Sequence, residues 1–153
     1  MIEASLAYEA FDPHAKLAAY DTPGADHGAL ASFVGYCRGR SHGRDVETLE
    51  LQHYPGFTEQ EIGRMAQDAA RRHSLKDVLV VHRVGVIRPG EAIVLVAARS
   101  AHRAQAFEAV EELMDLLKTD APLWKREAGA DGVRWIEPTA DDRTRRDARE
   151  EPR

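Results

Sequence analysis

A single cysteine, Cys37, stands in a chain of 153 residues. That excludes an internal disulfide framework and any zinc or iron–sulfur site built on several thiolates. No run of 18 apolar residues occurs, so no membrane-spanning helix and no membrane partner are expected. The opening Met1-Ile2-Glu3-Ala4 lacks a basic n-region and an apolar h-region, so no secretory signal is expected. These absences point to the cytoplasm. The seven histidines never fall in H-x-x-x-H or H-E-x-x-H spacing, which argues against a zinc enzyme. Neither G-x-x-x-x-G-K-[ST] nor G-x-G-x-x-G is present, so nucleotide hydrolysis and dinucleotide binding lack support. No metal and no cofactor are expected.

What the chain does have is an ordinary globular composition. Hydrophobic residues make up 43% and charged residues 31%, enough for one domain with a real core. The net charge of -5 argues against nucleic acid as a partner. The cations are nevertheless clustered: Arg38, Arg40, Arg44, His102, Arg103, Lys118, Lys125, Arg126 and Arg134 fall in a few segments. A local basic pocket on an acidic protein suits a small anionic ligand.

Along the chain, residues 2–8 can form a strand, and Asp12-Pro13 reads as an N-cap with proline at N1 of a short helix to about Tyr20. Residues 28–37 are apolar and β-capable. Residues 46–54 alternate and read as the second strand of a hairpin with them. Thr58-Glu59-Gln60-Glu61 reads as a capping box, with Thr58 as N-cap of a helix ending near His73. Two β-branched runs, 78–84 and 92–98, flank a turn at Arg88-Pro89-Gly90-Glu91. A second long helix is expected over 101–118, with Ser100 as N-cap and Phe107, Val110, Met114 and Leu117 at helical spacing. Two short strands, 124–128 and 133–136, follow. Hairpins with two longer helices imply a two-layer α+β domain with an antiparallel or mixed sheet, occupying residues 1–138. The charged segment 139–153 has almost no apolar side chains and is expected to be a disordered tail whose removal costs little stability.

Lys118 and Lys125 lead the candidates for chemistry. Lys118 closes the apolar-striped helix, where the dipole alone would favour it. Pro122 then turns the chain, so both amines can face one cleft, and a lysine among cations has a lowered pKa suited to proton transfer. His102 and Arg103 open the same helix, where free N–H groups favour an anion; pairing with surface carboxylates is the plainer reading. Arg38 follows an apolar strand and precedes a Gly/Ser loop, a way to present a guanidinium to phosphate or to make a surface ion pair. Arg134, beside Trp135, is similarly open. His82-Arg83, inside an apolar strand, reads as a structural pair with a carboxylate. Cys37 reads as inert packing.

Several segments carry a resemblance. Met114-Asp115-Leu116-Leu117-Lys118-Thr119-Asp120-Ala121-Pro122-Leu123-Trp124-Lys125-Arg126-Glu127 follows M-D-x-L-K-x-x-x-P-x-W-K-[KR]-E. Ser100-Ala101-His102-Arg103 follows S-x-H-R, and Phe33-Val34-Gly35-Tyr36-Cys37-Arg38 follows F-x-G-x-x-R. Leu49-Glu50-Leu51-Gln52-His53-Tyr54, His82-Arg83-Val84-Gly85 and Pro89-Gly90-Glu91 add to these, in the right order. The chain resembles the catalytic (large) subunit family of molybdopterin synthase; Ser41 departs from the asparagine many relatives have there. The resemblance implies an α/β-hammerhead fold and a homodimer within a heterotetramer. It also implies sulfur transfer from the C-terminal Gly-Gly thiocarboxylate of a small ubiquitin-like subunit to cyclic pyranopterin monophosphate, forming the dithiolene of molybdopterin. It implies Lys118 and Lys125 as catalytic, and Arg38, His102, Arg103 and Arg134 as substrate-binding, Arg134 from the same or the partner protomer. The alternative is a non-catalytic module that binds an anionic metabolite or the tail of a ubiquitin-like protein.

Overall fold

The computed structural model describes residues 1–149. The first sheet holds β1 (Ile2–Ala7), β6 (Asp77–Arg83), β8 (Ala92–Ser100) and β2 (Ala29–Tyr36), in that order. β1 runs parallel to β6, and the other pairs are antiparallel, with Val80 opposite Val96 and Ala31 opposite Ala98. The second sheet is antiparallel throughout, in the order β10 (Gly132–Ile136), β9 (Leu123–Gly129), β5 (Thr48–His53) and β7 (Gly85–Ile87). A two-stranded ribbon, β3 (Arg40–Ser41) with β4 (Arg44–Asp45), precedes β5.

Two helices cover one face of the first sheet: α2 (Phe57–Arg72) and α3 (Arg103–Thr119). Their inward stripes are Ile62, Met65, Ala66 and Ala69, and Ala106, Ala109, Val110, Leu113 and Leu117, against Val78, Val80, Val94 and Val96. The alanines let both helices lie close to the sheet, and each fully buried Leu or Ile contributes about 2 kcal/mol. The opposite face, with Leu79, Val81 and Leu95, is covered in part by α1 (Pro13–Tyr20) through Leu17 and Tyr20. Between the helices Glu112 accepts from Arg72 Nε and pairs with His73 Nε2, each at 3.0 Å. Burial raises the Glu112 pKa, but Arg72 and His73 outweigh it and hold the carboxyl below its ordinary value.

The two-layer α+β reading holds, and four local expectations do not. Residues 46–54 form no hairpin with β2: β2 pairs with β8, while β5 pairs with β7 and β9. The chain reaches the second sheet because Gly85, at φ +86°, turns β6 into β7, and because a side chain at Gly129 would strike the Asp45 carbonyl at 2.4 Å. α2 begins two residues early, with Gly56 as N-cap, its N–H donating to Glu59 Oε2 at 3.0 Å. Thr58 is instead fully buried and tied elsewhere. The N-cap of α3 is His102, while the Ser100 hydroxyl donates to the His102 carbonyl. Finally, the segment expected to be disordered forms α4 (Ala140–Asp147). A capping box starts it, Thr139 Oγ1 accepting from Asp142 N–H at 3.0 Å, and arginines pin it to α3. Ion pairing has replaced the apolar stripe that the sequence lacks. Residues 150–153 of that expectation lie outside the described residues.

Candidate active site

The site forms where α3 ends. Lys118 lies in its last turn, exposed at the rim, and Asp120 caps it with an N–H bond of 2.7 Å to the Leu116 carbonyl. The next turn is fixed from a distance. Thr58 Oγ1 accepts from Tyr54 N–H at 2.8 Å and donates to the Pro122 carbonyl at 3.0 Å. The start of α2 therefore sets the path from Lys118 into β9, which a capping reading of Thr58 could not reveal. On β9, Lys125 stands opposite Leu51 on one side and Ile136 on the other, and Glu127 stands opposite Leu49 and Arg134. Alternation puts Lys125, Glu127, Arg134, Leu49 and Leu51 on one face of the second sheet.

The half-buried Lys125 has a lowered pKa. Burial is the largest cause, followed by the charge of Lys118; Asp142 and Glu127 oppose, and Arg38 lowers it further. Lys118, Lys125, Arg38, Glu127 and Asp142 thus share one electrostatic neighbourhood. His82 belongs to it too. It lies buried on the helix-facing side of β6, with Nδ1 2.9 Å from the Arg83 carbonyl. A carbonyl only accepts, so Nδ1 carries the proton and Nε2 keeps its lone pair. Burial lowers the His82 pKa, the Arg83 carbonyl opposes, and Lys125 and Lys118 lower it further, to about 4. Its expected carboxylate partner is not what holds it. Arg83 does approach Glu91, at 3.6 Å, but donates mainly to the carbonyls of Val84 and Val86.

A cleft of about 470 Å³ leads to Lys118 between β2 and α3. Phe33, Phe107, Val110 and Met114 give it an apolar wall, and Glu111, Asp115, Lys118, Asp142 and Arg145 its charged lining. Of the residues singled out in the sequence, Lys118 and Arg38 lie close enough to Lys125 for their charges to lower its pKa. Arg134 reaches the same sheet face, donating to Glu127 Oε2 at 3.0 Å. His102 and Arg103, both exposed, do not join them. They open the 17-residue α3 that Lys118 closes, and at 1.5 Å per residue the two ends lie roughly 22 Å apart. Sequence reasoning missed Asp142, and the signal was there: Thr139-Ala140-Asp141-Asp142 is a capping pattern.

Residues 6–120 match the family described as MoaE protein. The chain belongs to the MoaE family. A molybdopterin synthase catalytic subunit from Caulobacter vibrioides is 50% identical over 140 residues, covering 92% of each chain. A MoaE protein from Burkholderia ambifaria MC40-6 has the same fold, with a TM-score of 0.80 and 40% identity over 99% of this chain and 100% of that one. A more distant chain, at TM-score 0.66 and 20% identity over 91% of this chain and 89% of that one, also shares the fold. It belongs to a protein–protein complex of subunits 1 and 2 of the molybdopterin-converting factor from Helicobacter pylori 26695. MoaE membership places the chain in molybdenum cofactor biosynthesis, as an enzyme subunit. Among the described residues, no helix is long and apolar enough to cross a membrane.

Proposed function

We propose that this chain is the catalytic subunit of a molybdopterin synthase. It transfers sulfur from the C-terminal thiocarboxylate of a small ubiquitin-like protein to cyclic pyranopterin monophosphate and so builds the dithiolene. The observation that carries the reading is the meeting of Lys118 with the half-buried Lys125, whose ammonium is destabilised by burial and by its neighbour. A lysine so placed exchanges protons nearer neutral pH than an exposed one. Lys118 supplies positive charge at the mouth, where oxyanions develop when sulfur changes carrier. The apolar-walled cleft fits a Gly-Gly tail, which has no side chains to accommodate.

Arg38 binds the substrate's anionic groups in this reading. Arg134 contributes in cis, since its guanidinium is already held on the Lys125 face by Glu127. His102 and Arg103 act from the second protomer of a homodimer, because their own lysines lie a helix length away. Two such protomers with two small subunits make a cytoplasmic heterotetramer. Residues 1–138 hold the two lysines and the substrate-binding side chains, and α4 in the segment that follows adds Asp142 to the cleft.

The test is reconstitution with thiocarboxylated small subunit and the pterin precursor. Wild type forms the dithiolene product, and Lys118→Ala nearly abolishes it while still binding the small subunit. A non-catalytic binding module would bind the small subunit and make no product. Activity of Lys118→Ala within about threefold of wild type, about 0.6 kcal/mol in barrier, would remove Lys118 from the mechanism.

A further inference from the structure

α4 buries none of its side chains, so no apolar gain explains why it docks. It is strapped along α3 by charge: Arg145 to Glu111 at 3.4 Å, Arg146 to Asp120 at 2.7 Å and Arg149 to Asp115 at 2.8 Å. The strap brings two side chains to the cleft that Lys118 also lines: Asp142, half-buried, and Arg145, exposed. The capping box fixes the direction of Asp142. Asp142 Oδ2 accepts from Thr139 N–H at 3.1 Å, and Thr139 Oγ1 accepts from Asp142 N–H at 3.0 Å. One carboxylate oxygen is thereby committed to the helix cap, and the charge of the group is left to face the cleft.

We infer that Asp142 is a positioning residue for Lys118 and Lys125, and that α4 docks in order to deliver it. The inference rests on the proposed sulfur transfer for its kinetic consequence only. Three cations act on one another here: the charges of Lys118 from α3 and Arg38 from the end of β2 both lower the pKa of Lys125 on β9. Buried His82, from β6, adds no negative charge. Glu127, from β9, is engaged by Arg134 from β10. Glu111 and Asp115, also on the cleft, are engaged by Arg145 and Arg149, which leaves Asp142 to counter the remaining repulsion. Its own carboxyl is held below its ordinary pKa: burial raises it, but the Thr139 bonds and the charges of Lys118 and Lys125 outweigh burial. It offsets the repulsion between the two ammonium groups until an anionic substrate takes over the balancing.

Asp142→Asn tests this, because asparagine keeps the cap and removes the charge. NMR titration of the lysine side chains in the free protein is the first readout. Asp142→Asn should lower the Lys125 midpoint relative to wild type, Asp142→Glu should restore it, and Asp141→Asn, one residue away and paired with Arg145, should leave it unmoved. The second readout is the pH profile of reconstituted sulfur transfer. The limb that reports Lys125 should move to lower pH in Asp142→Asn, with kcat down about tenfold and KM changed less than about twofold. An unmoved Lys125 midpoint in folded Asp142→Asn would overturn the inference, as would failure of Asp142→Glu to restore a lowered one. If wild type itself made no product, the proposed function would fall while the titration still decided the role of Asp142.

Discussion

The two ends of α3 carry the same kind of residue in different settings. At its start, His102 and Arg103 stand exposed, with no side-chain cap on the helix. At its end, Lys118 shares a cleft with a returning helix, and its charge acts on Lys125 of the second sheet and on the buried His82. Both ends were credible anion sites by charge alone. Enclosure separates them: only at the Lys118 end does the fold remove water from a neighbouring cation and bring carboxylates to meet it. A helix terminus becomes a site when other elements close around it, and the open end becomes one only if another surface does the same.

The sharpest way to break that comparison is to remove the enclosed amine. Lys125→Ala should lower reconstituted product formation about a thousandfold, roughly 4 kcal/mol of barrier. The Lys118→Ala/Lys125→Ala double variant should fall by much less than the product of the single losses, because the two amines act as a unit. Single-turnover assays read both. Additive losses would mean that the lysines work independently and that their meeting is incidental.

Enclosure should also show as acid sensitivity. Above pH 6.5, His82 is neutral in both folded and unfolded chains, and its contribution to stability is complete. As the pH falls from 6.5 towards about 4, the unfolded imidazole takes up a proton that the buried one refuses, so stability is lost through that window. Between pH 7.5 and 5 this amounts to about 2 kcal/mol. Urea unfolding at the two pH values should show His82→Leu losing less stability than wild type by about that amount. Equal losses would place His82 in contact with water.

What could be read in the sequence divides along the same line. α3 was legible because Val110, Met114 and Leu117 repeat at helical spacing against the core, although Phe107, read on the same stripe, is 65% exposed. The hairpin of β9 with β10 was legible because its partners are neighbours in the chain. β5 was mispaired because its partners, β7 and β9, lie far along the chain, and alternation names a buried face without naming the strand beside it. The motif gave Lys118 and Lys125, yet not the depth of Lys125, whose strand is held between β5 and β10. α4 was unreadable by hydrophobicity because its docking uses arginines and carboxylates, and Asp142 was lost with it.

At the open end of α3, a smaller effect is expected. Arg103→Ala should weaken binding of the pterin precursor about fivefold at low ionic strength, roughly 1 kcal/mol, and less at high salt, where exposed charges are screened. Thermal stability should barely change, since Arg103 is exposed. Titration at two salt concentrations checks this. The same loss at both would mean that Arg103 is enclosed when substrate binds, which would sharpen the case for a second protomer covering it.

The smallest effect is expected deep inside the enclosed end, at Cys37. It is the chain's one thiol and therefore its one conceivable persulfide carrier. Nucleophilic sulfur chemistry needs a thiolate. Here burial pushes the Cys37 pKa up, Glu127 and Glu91 push it further, and Lys125 opposes. The side chain is 5% exposed and packs with Leu49, Leu51 and Ile87, its Sγ 3.8 Å from the Arg38 carbonyl. Such a thiol fills space. Cys37→Ser should therefore keep sulfur transfer within about threefold of wild type, at most about 0.6 kcal/mol of barrier. A single-turnover assay with preloaded small subunit measures the chemical step without any other sulfur source. If folded Cys37→Ser bound the small subunit normally and transferred no sulfur, the direct route would fail, and the enclosed site would owe its chemistry to the thiol behind the lysines.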